Sequence, residues 1–518
     1  MHKPDLSSTS TPSSPLLCPN VLRCLGQYLT RPQLLSAFRV CKAWHAALEP
    51  RLWHTLKLQN QPCNFTPRQA TPTLLLRNRH HIRHLHETGS NSLMKFLAFS
   101  VRLPLMQLTS IHVSILSPEI LMIIQQNVET LTSFSCRSNR LRKDLEAQSL
   151  WCRQLFFALE LVPRLTELAI GPAILLDSPR TVFSKICTHL KKLELDRLKV
   201  SDRSLYADST PTEAHELVPF PELEELTLIW NDFPPPCQLE LVRKSPKLKS
   251  LIWRRGSQLL TQSWLSGTLP VPNDLARLDI GHSHLEDDTM ARVLALLPNL
   301  VALNARSTPF GARCALELLE NQGPKMIELD LIDCDSLSST VIQRFLTGMP
   351  NLKRFGAARL EASDITTPFM QGNAAASSPS SWVCLDLEEL ELAIIGVHRI
   401  ENPPPREACF IIYEQLAQLT RLRVLVLREN VSASREEDFM LDWTLCNGLR
   451  NLHTLKRLSS LDIQGLHAKI GMEEIEWMAQ EWPQLSELKG KLNNKQGVDN
   501  KPLERELRRL RPDIIKLE

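Results

Sequence analysis

Between Asp274 and Ala358 the apolar positions of the chain fall into one phrase written four times. Each copy has apolar residues at its first, fourth and sixth positions. The copies start at Leu275 (LARLDI), Leu300 (LVALNA), Met326 (MIELDL) and Leu352 (LKRFGA), 25, 26 and 26 residues apart. Alternation over so short a run predicts a strand, because successive side chains point to opposite faces. Between copies lie stretches of helical period, such as MARVLALLPNL and VIQRFLTGMPNL, in which apolar residues three and four apart share one face. A single strand and helix of this size cannot bury its own apolar side. Stacking of successive copies can.

A fixed period in the twenties with a strand phrase and a helix is the signature of a leucine-rich-repeat solenoid. The expected fold class is therefore α/β: a curved solenoid with a parallel concave sheet, preceded by a short all-helical module. Looser copies extend the array on both sides. They start at Leu108, Leu131, Leu165, Leu190, Leu223 and Leu248 before the four regular ones, and at Leu387, Leu422, Leu458 and Leu485 after them. Where spacing stretches, the excess is read as loops: SDRSLYADSTPTEAHE, DITTPFMQGNAAASSPSS and ENPPPREACF. The solenoid is expected over residues 76–518, with LERELRRLRP as a C-terminal cap burying Leu503, Leu507 and Leu510.

Within each strand the residues between the leucines face away from the core. Arg254, Arg277, Asp279, Asn304, Arg306 and Asp330 thus fall together on neighbouring strands, about 4.8 Å apart, as candidate substrate-binding residues. Three arginines in that arrangement suit the carboxylate or phosphate of an acidic or phosphorylated segment. The same arginines could instead pair with Asp279, Glu328 and Asp330 along the face, which would only keep it soluble.

The N-terminal end is different. Residues 1–15 (MHKPDLSSTSTPSSP) are too poor in apolar side chains to order themselves and are expected to be a disordered tail. Residues 16–58 hold three short helical patterns. The first carries Val21, Leu22, Leu25, Tyr28 and Leu29. The second, with Pro32 in its first turn, carries Leu34, Leu35 and Phe38; the third carries Cys41, Trp44 and Leu48 and ends near Pro50. A polar connector is expected over 59–75. The helical stretch could be a capping hairpin for the solenoid, although Trp44, Trp53 and the Val40-Cys41-Lys42 run exceed what a cap needs.

Pro19, Val21-Leu22, Leu25, Tyr28-Leu29, Leu34-Leu35, Val40-Cys41-Lys42-x-Trp44 and Leu52-Trp53 together resemble an F-box. Two positions depart from that pattern: Cys18 separates Leu17 from Pro19, and Asn20 stands where an acidic residue is common. With the repeats, the chain is similar to F-box/leucine-rich-repeat proteins of fungal type. The resemblance implies a substrate-recognition subunit of a Skp–cullin–F-box ubiquitin ligase. Its partners would be a Skp-type adaptor, a cullin scaffold and a protein substrate. Pro19, Val21, Leu22, Leu25 and Val40 would contribute to the adaptor-facing surface, and Trp44 would organise the module. The alternative is a leucine-rich-repeat scaffold or inhibitor that binds proteins without ubiquitination.

Composition narrows the remaining classes. Sixty Lys and Arg against 57 Asp and Glu give a net charge near +3, too balanced to suggest nucleic acid or a membrane surface as partner. Thirteen cysteines without a C-x-x-C pair, and no apolar leader in the first fifteen residues, point to free thiols in a reducing cytoplasmic or nuclear compartment. The run LLLRNRHHIRHLHETG places four histidines close together (His80, His81, His84 and His86). It reads as an edge strand through Ile82 and Leu85 with histidines on its solvent side, since no cysteine or carboxylate pair stands near to complete a metal site. No phosphate loop, nucleophile elbow or H-E-x-x-H occurs, and glycine is sparse at 17. The expectation is a non-enzymatic protein without metal or cofactor.

Overall fold

In each of the fourteen phrases a strand begins two residues after the first apolar position, so the leucine pattern alone sets the strand register. The computed structural model describes residues 18–59, 77–88, 107–137, 145–171, 173–175, 180–200, 219–229, 235–254, 257–370, 381–397, 400, 404–427, 441–464, 469–493 and 499–517. The chain forms two units, Met1–Pro246 and Lys247–Glu518.

The first unit carries β1 (Thr55–Gln59), β2 (His84–Thr88), β3 (Ser110–Val113), β4 (Ser133–Arg137) and β5 (Glu167–Gly171). After them come β6 (Ala173–Leu175), β7 (Lys192–Asp196), β8 (Leu198–Val200) and β9 (Glu225–Ile229). Seven of these pair in parallel in the order β1-β2-β3-β4-β5-β7-β9. The two short strands β6 and β8 form a separate parallel pair. Leu85, Ile111, Phe134, Leu168, Leu193 and Leu226 stand opposite one another in one buried column.

The second unit repeats the arrangement with ten parallel strands in sequence order. They are β10 (Ser250–Arg254), β11 (Arg277–Asp279), β12 (Ala302–Asn304), β13 (Glu328–Leu331), β14 (Arg354–Glu361), β15 (Glu389–Ile395), β16 (Val424–Val426), β17 (Ser460–Asp462), β18 (Glu487–Lys489) and β19 (Ile515–Leu517). Leu278, Leu303, Leu329 and Phe355 are direct register partners and are all buried, as the repeat predicts. The helices close this column from one side. Asp287–Ala295 buries Met290, Val293 and Leu294, and Ser339–Gly348 buries Ile342, Phe345 and Leu346 at the same three-and-four spacing. Phe345 meets Phe355 edge-on with ring centres 6.4 Å apart.

Repeats are also tied to each other by polar side chains that satisfy helix ends, where backbone groups lack partners. The Asp287 carboxylate accepts hydrogen bonds from the backbone N–H of Gly311, Arg313 and Cys314 (2.9, 2.9 and 3.1 Å). It thereby caps the helix Ala312–Glu317 of the following repeat. Gln322 donates to the Leu294 and Leu297 carbonyls, and Trp482 Nε1 donates to the Leu452 carbonyl.

Ahead of the first sheet stand α1 (Pro19–Tyr28), α2 (Arg31–Ala37) and α3 (Lys42–Trp53). Thr30 and Gln33 form a capping box at the start of α2, and Pro32 sits in its first turn as expected. α3 packs against both other helices and against β1.

Several expectations change. α3 does not end near Pro50 but runs to Trp53. Proline there forgoes one backbone bond without ending the helix. The sheet starts at Thr55, within 16–58, because Trp53, Leu56 and Leu58 already carry the repeat spacing. β2 is not an edge strand. It lies between β1 and β3, while His80 and His81 sit in a tight 3₁₀ turn before it.

Asp364–Met370 and Pro405–Phe410, read as loop, belong to the helices Ala362–Met370 and Pro405–Ala417. Beyond the C-terminal helix Lys501–Leu510, which buries Leu503 and Leu507 but only half-buries Leu510, β19 adds one more strand. The tail over 1–15, the connector from residue 60 and the insertion over 201–216 lie outside the described residues.

Candidate binding surfaces

On the second unit's sheet the residues between the leucines form register rows across the open face. One row runs Arg277, Ala302, Glu328, Arg354, Glu389. The next runs Ile252, Asp279, Asn304, Asp330, Gly356, Glu391, Val426. Four of the six residues expected to bind substrate lie in these rows, and the other two, Arg254 and Arg306, reach them through Asp279 and Asp330.

The arginines among them are already engaged. Arg254 forks onto Asp279, with Nη2 donating to Oδ2 at 2.7 Å and Nε at 3.2 Å from both oxygens. This hydrogen bonding holds the Arg254 guanidinium above its ordinary pKa. Arg277 reaches over the small Ala302 to Glu328 at 3.0 Å. Arg354 bridges Glu328 and Glu389 at 3.3 and 3.4 Å. Arg306 lies 3.3 Å from Asp330 and 3.6 Å from Glu391. Arg354, Glu328, Glu389 and Glu391 were not among the expected site residues. Their signal was the first outward position of the repeats starting at Met326, Leu352 and Leu387, and the second of the last.

Three members of the second row also shape the backbone. Asp279, Asn304 and Asp330 each accept the N–H of the residue two further on, Gly281, Arg306 and Ile332. Such side-chain turns end a strand locally. The next residue in each case, His282, Ser307 and Asp333, is non-glycine at positive φ (60°, 54° and 60°).

Gly356 interrupts the row. Ile332 fills the space over it, its Cδ1 lying 2.9 Å from where a Cβ would stand, and a shallow hollow of about 290 Å³ runs along the face from Ile252 to Val426. Burial pushes the Asp330 carboxyl above its usual range, against the opposing pull of Arg306 and the Ile332 amide, and Glu391 adds to the rise.

The first unit offers two other surfaces. On its sheet, His86 and His112 stack with ring centres 4.4 Å apart, and His54 and His84 meet at 4.7 Å. Burial lowers the pKa of all four, reinforced by neighbouring imidazoles for His54, His86 and His112 and by Arg51 for His54 and His84. Among the described residues no group of three or more His, Cys, Asp or Glu is placed to hold a metal ion.

On the helical module, large apolar side chains stand in solvent: Val21 is 47% exposed, Leu25 38%, Tyr28 83%, Leu35 46% and Val40 62%. Pro19 is exposed beside them. Leu22, expected on the same surface, is fully buried. It sits next to Val21, and one helical step of about 100° turns it into the α1–α3 interface. Gly26 lets those helices approach so closely that a Cβ would fall 2.8 Å from Leu48 Cδ2.

Strand order, register and repeat helices define each unit as a stack of leucine-rich repeats. No family model and no curated protein matches the sequence. Among solved structures, an internalin (inlF) from Listeria monocytogenes is 16% identical with a TM-score of 0.38, covering 69% of this chain and 82% of that one. The InlJ functional domain from the same species is 16% identical with a TM-score of 0.33, covering 79% and 67%. TLR13 in a TLR13-ssRNA13 complex is 14% identical with a TM-score of 0.33, covering 79% and 62%.

Proposed function

We propose that this chain is the substrate-recognition subunit of a Skp–cullin–F-box ubiquitin ligase, with the module Pro19–Trp53 docking the Skp-type adaptor and the repeats holding a protein substrate. The observation that carries the reading is the exposure of Val21, Leu25, Tyr28, Leu35 and Val40 on so small a module. Isolated exposed apolar residues need no explanation, but a concentration of them marks a surface that another protein covers. Val21, Leu25 and Val40 are among the positions the F-box resemblance assigns to the adaptor side; Tyr28 and Leu35 add to the exposed set, and the buried Leu22 does not belong to it. Chemistry would be left to other subunits; this chain would contribute proximity, holding a substrate lysine near the charged conjugating enzyme.

The test is affinity capture of the full chain followed by mass spectrometry, with Val21→Asp/Leu25→Asp/Val40→Asp as the control. These three side chains are partly exposed, and far-ultraviolet circular dichroism of the variant checks that the fold is kept. A deletion through residue 58 would not serve, because it removes β1 from the sheet. Adaptor and cullin captured by the natural chain and lost in the variant are expected. Partners unaffected by the variant, with no adaptor among them, would instead identify a scaffold that acts without ubiquitination.

A further inference from the structure

The near-neutral charge of the whole chain hides a basic stretch in the first unit. From Arg51 to Lys143 the sequence has twelve Lys and Arg against three Asp and Glu, together with six of the fifteen histidines. None of the three acidic residues lies on the open face of the sheet. Glu87 is buried on the inward side, where it takes the bonds from Ser114. Glu119 stands in the first turn of the helix Pro118–Gln126, and Glu129 follows that helix. The outward rows of the first four strands read Thr55, His84, Ser110, Ser133 and Lys57, His86, His112, Ser135. Every position in them is neutral or basic.

On the second unit Arg254, Arg277 and Arg306 each lie against a carboxylate, and an acidic ligand there would have to take an arginine from its partner. The first unit offers donors without that exchange. Lys57 is exposed, and His84, His86 and His112 are half-buried beside it. The arginines nearby are occupied: Arg83 donates to the His80 and Gln107 carbonyls, and Arg137 to Glu194. Burial is the first cause that lowers the pKa of the three imidazoles. Positive neighbours lower it further, Arg51 at His84, Lys57 at His86 and Arg137 at His112, with Glu167 opposing at His112. A bound anion acts in the other direction and favours the protonated ring.

Three strand spacings make this face about 14 Å wide, the span of about four extended residues. Beyond it Glu167, Glu194 and Glu225 enter the rows, so a long polyanion laid across the strands would run onto carboxylates. The two rows also lack the aromatic platforms on which nucleic-acid bases stack.

We infer that the open face of β1–β4 binds a short anionic segment of a partner protein, carboxylate- or phosphate-bearing, through Lys57, His84, His86 and His112. This deepens the proposed function by naming the chemistry of what the repeats hold, and it rests on that reading only in calling the partner a substrate.

Fluorescence anisotropy on the full-length protein tests it with four labelled probes. These are a nonamer of alternating serine and glutamate, its analogues with phosphoserine or glutamine in place of each glutamate, and a nine-nucleotide oligothymidylate. The glutamine peptide should bind at least about tenfold more weakly than one of the two anionic peptides. The tighter of those two identifies carboxylate or phosphate as the recognised group. Affinity for the glutamate peptide, which stays ionised throughout, should rise at least about threefold as pH falls from about 7.5 to about 6. Lys57→Glu, a change at an exposed position, should weaken the anionic peptides at least about tenfold, and His86→Gln/His112→Gln should flatten the pH profile. Thermal melts of both variants check folding.

Equal binding of the glutamine peptide, tightest binding of the oligonucleotide, or affinities that neither folded variant changes would overturn the inference. Adaptor capture by the natural chain is measured alongside. Capture without an anion preference removes this assignment alone; an anion preference without capture removes the ligase reading alone.

Discussion

Asp287 offers the sharpest test of how one repeat stabilises the next. Its side chain leaves its own helix and accepts three backbone N–H bonds from the following repeat, with Oδ1 serving Gly311 and Cys314 and Oδ2 serving Arg313. An ordinary helix N-cap is worth about 1 kcal/mol, and hydrogen bonds to a charged group about 1.5–3 kcal/mol each. Water can replace part of the loss at the exposed Arg313 amide, so Asp287→Ala should cost about 2 kcal/mol. Asp287→Asn keeps one acceptor oxygen and should cost about half as much.

The same geometry sets a pH dependence. Burial works to raise the Asp287 pKa, but the bonds from Cys314, Arg313 and Gly311 outweigh it and hold the carboxyl below the usual value of 3.8. A depressed folded-state pKa gives stability that is present above the unfolded value and is lost as pH falls through the folded one. Urea unfolding of the full chain, followed by tryptophan fluorescence at neutral and at acidic pH, measures both effects. The natural chain should lose the increment in acid, whereas Asp287→Asn should not. A loss under about 0.5 kcal/mol in Asp287→Ala, the range of an ordinary surface change, would refute the reasoning.

Other outcomes follow from the packing. Leu303→Ala, in the middle of the buried Leu278–Leu303–Leu329–Phe355 column, should lower stability by about 3 kcal/mol in the same unfolding assay. Gly26→Val should force α1 from α3 and abolish adaptor capture while far-ultraviolet circular dichroism of the repeats stays unchanged. The four histidines His54, His84, His86 and His112 have lowered pKa values in a setting of Arg51, Lys57, Arg83 and Arg137, with only Glu167 opposing at His112. The unfolded chain therefore takes up their protons first, and stability should fall as pH drops below about 6.5. Replacing His86 and His112 by Gln should flatten that fall in thermal melts across pH 5–8.

The fourteen phrase strands from Leu108 onward were legible because each phrase keeps apolar residues at its inward positions, Gly490 alone excepted, whereas β6, β8 and β19 fall outside those phrases. β2 was read as an edge strand and not as a repeat because its third inward position is Glu87. That carboxylate is buried, and it earns its place by accepting bonds from the Ser114 amide and hydroxyl. β1 was hidden by Trp53, which closes α3 and opens the strand phrase at once.

On the open face the sequence placed Arg254, Arg277 and Arg306 on adjacent strands and offered Asp279, Glu328 and Asp330 as their partners, but not which arginine takes which carboxylate. Arg277 passes over its register neighbour Ala302 to reach Glu328, 51 residues away. The choice depends on side-chain reach and on the smallness of Ala302, which no repeat pattern encodes. In the module, helix positions were readable while their outward direction was not. Adjacent Val21 and Leu22 look equivalent as letters, yet one is half-exposed and the other buried.

The central claim is most directly tested by equilibrium binding of the purified full-length chain to a purified Skp-type adaptor, measured by titration calorimetry beside the Val21→Asp/Leu25→Asp/Val40→Asp variant. The account predicts a one-to-one complex with the natural chain. In the variant the Kd should rise at least about a hundredfold, as expected when buried apolar contacts are replaced by charges. No complex with the natural chain, or equal affinity for the folded variant, would contradict it.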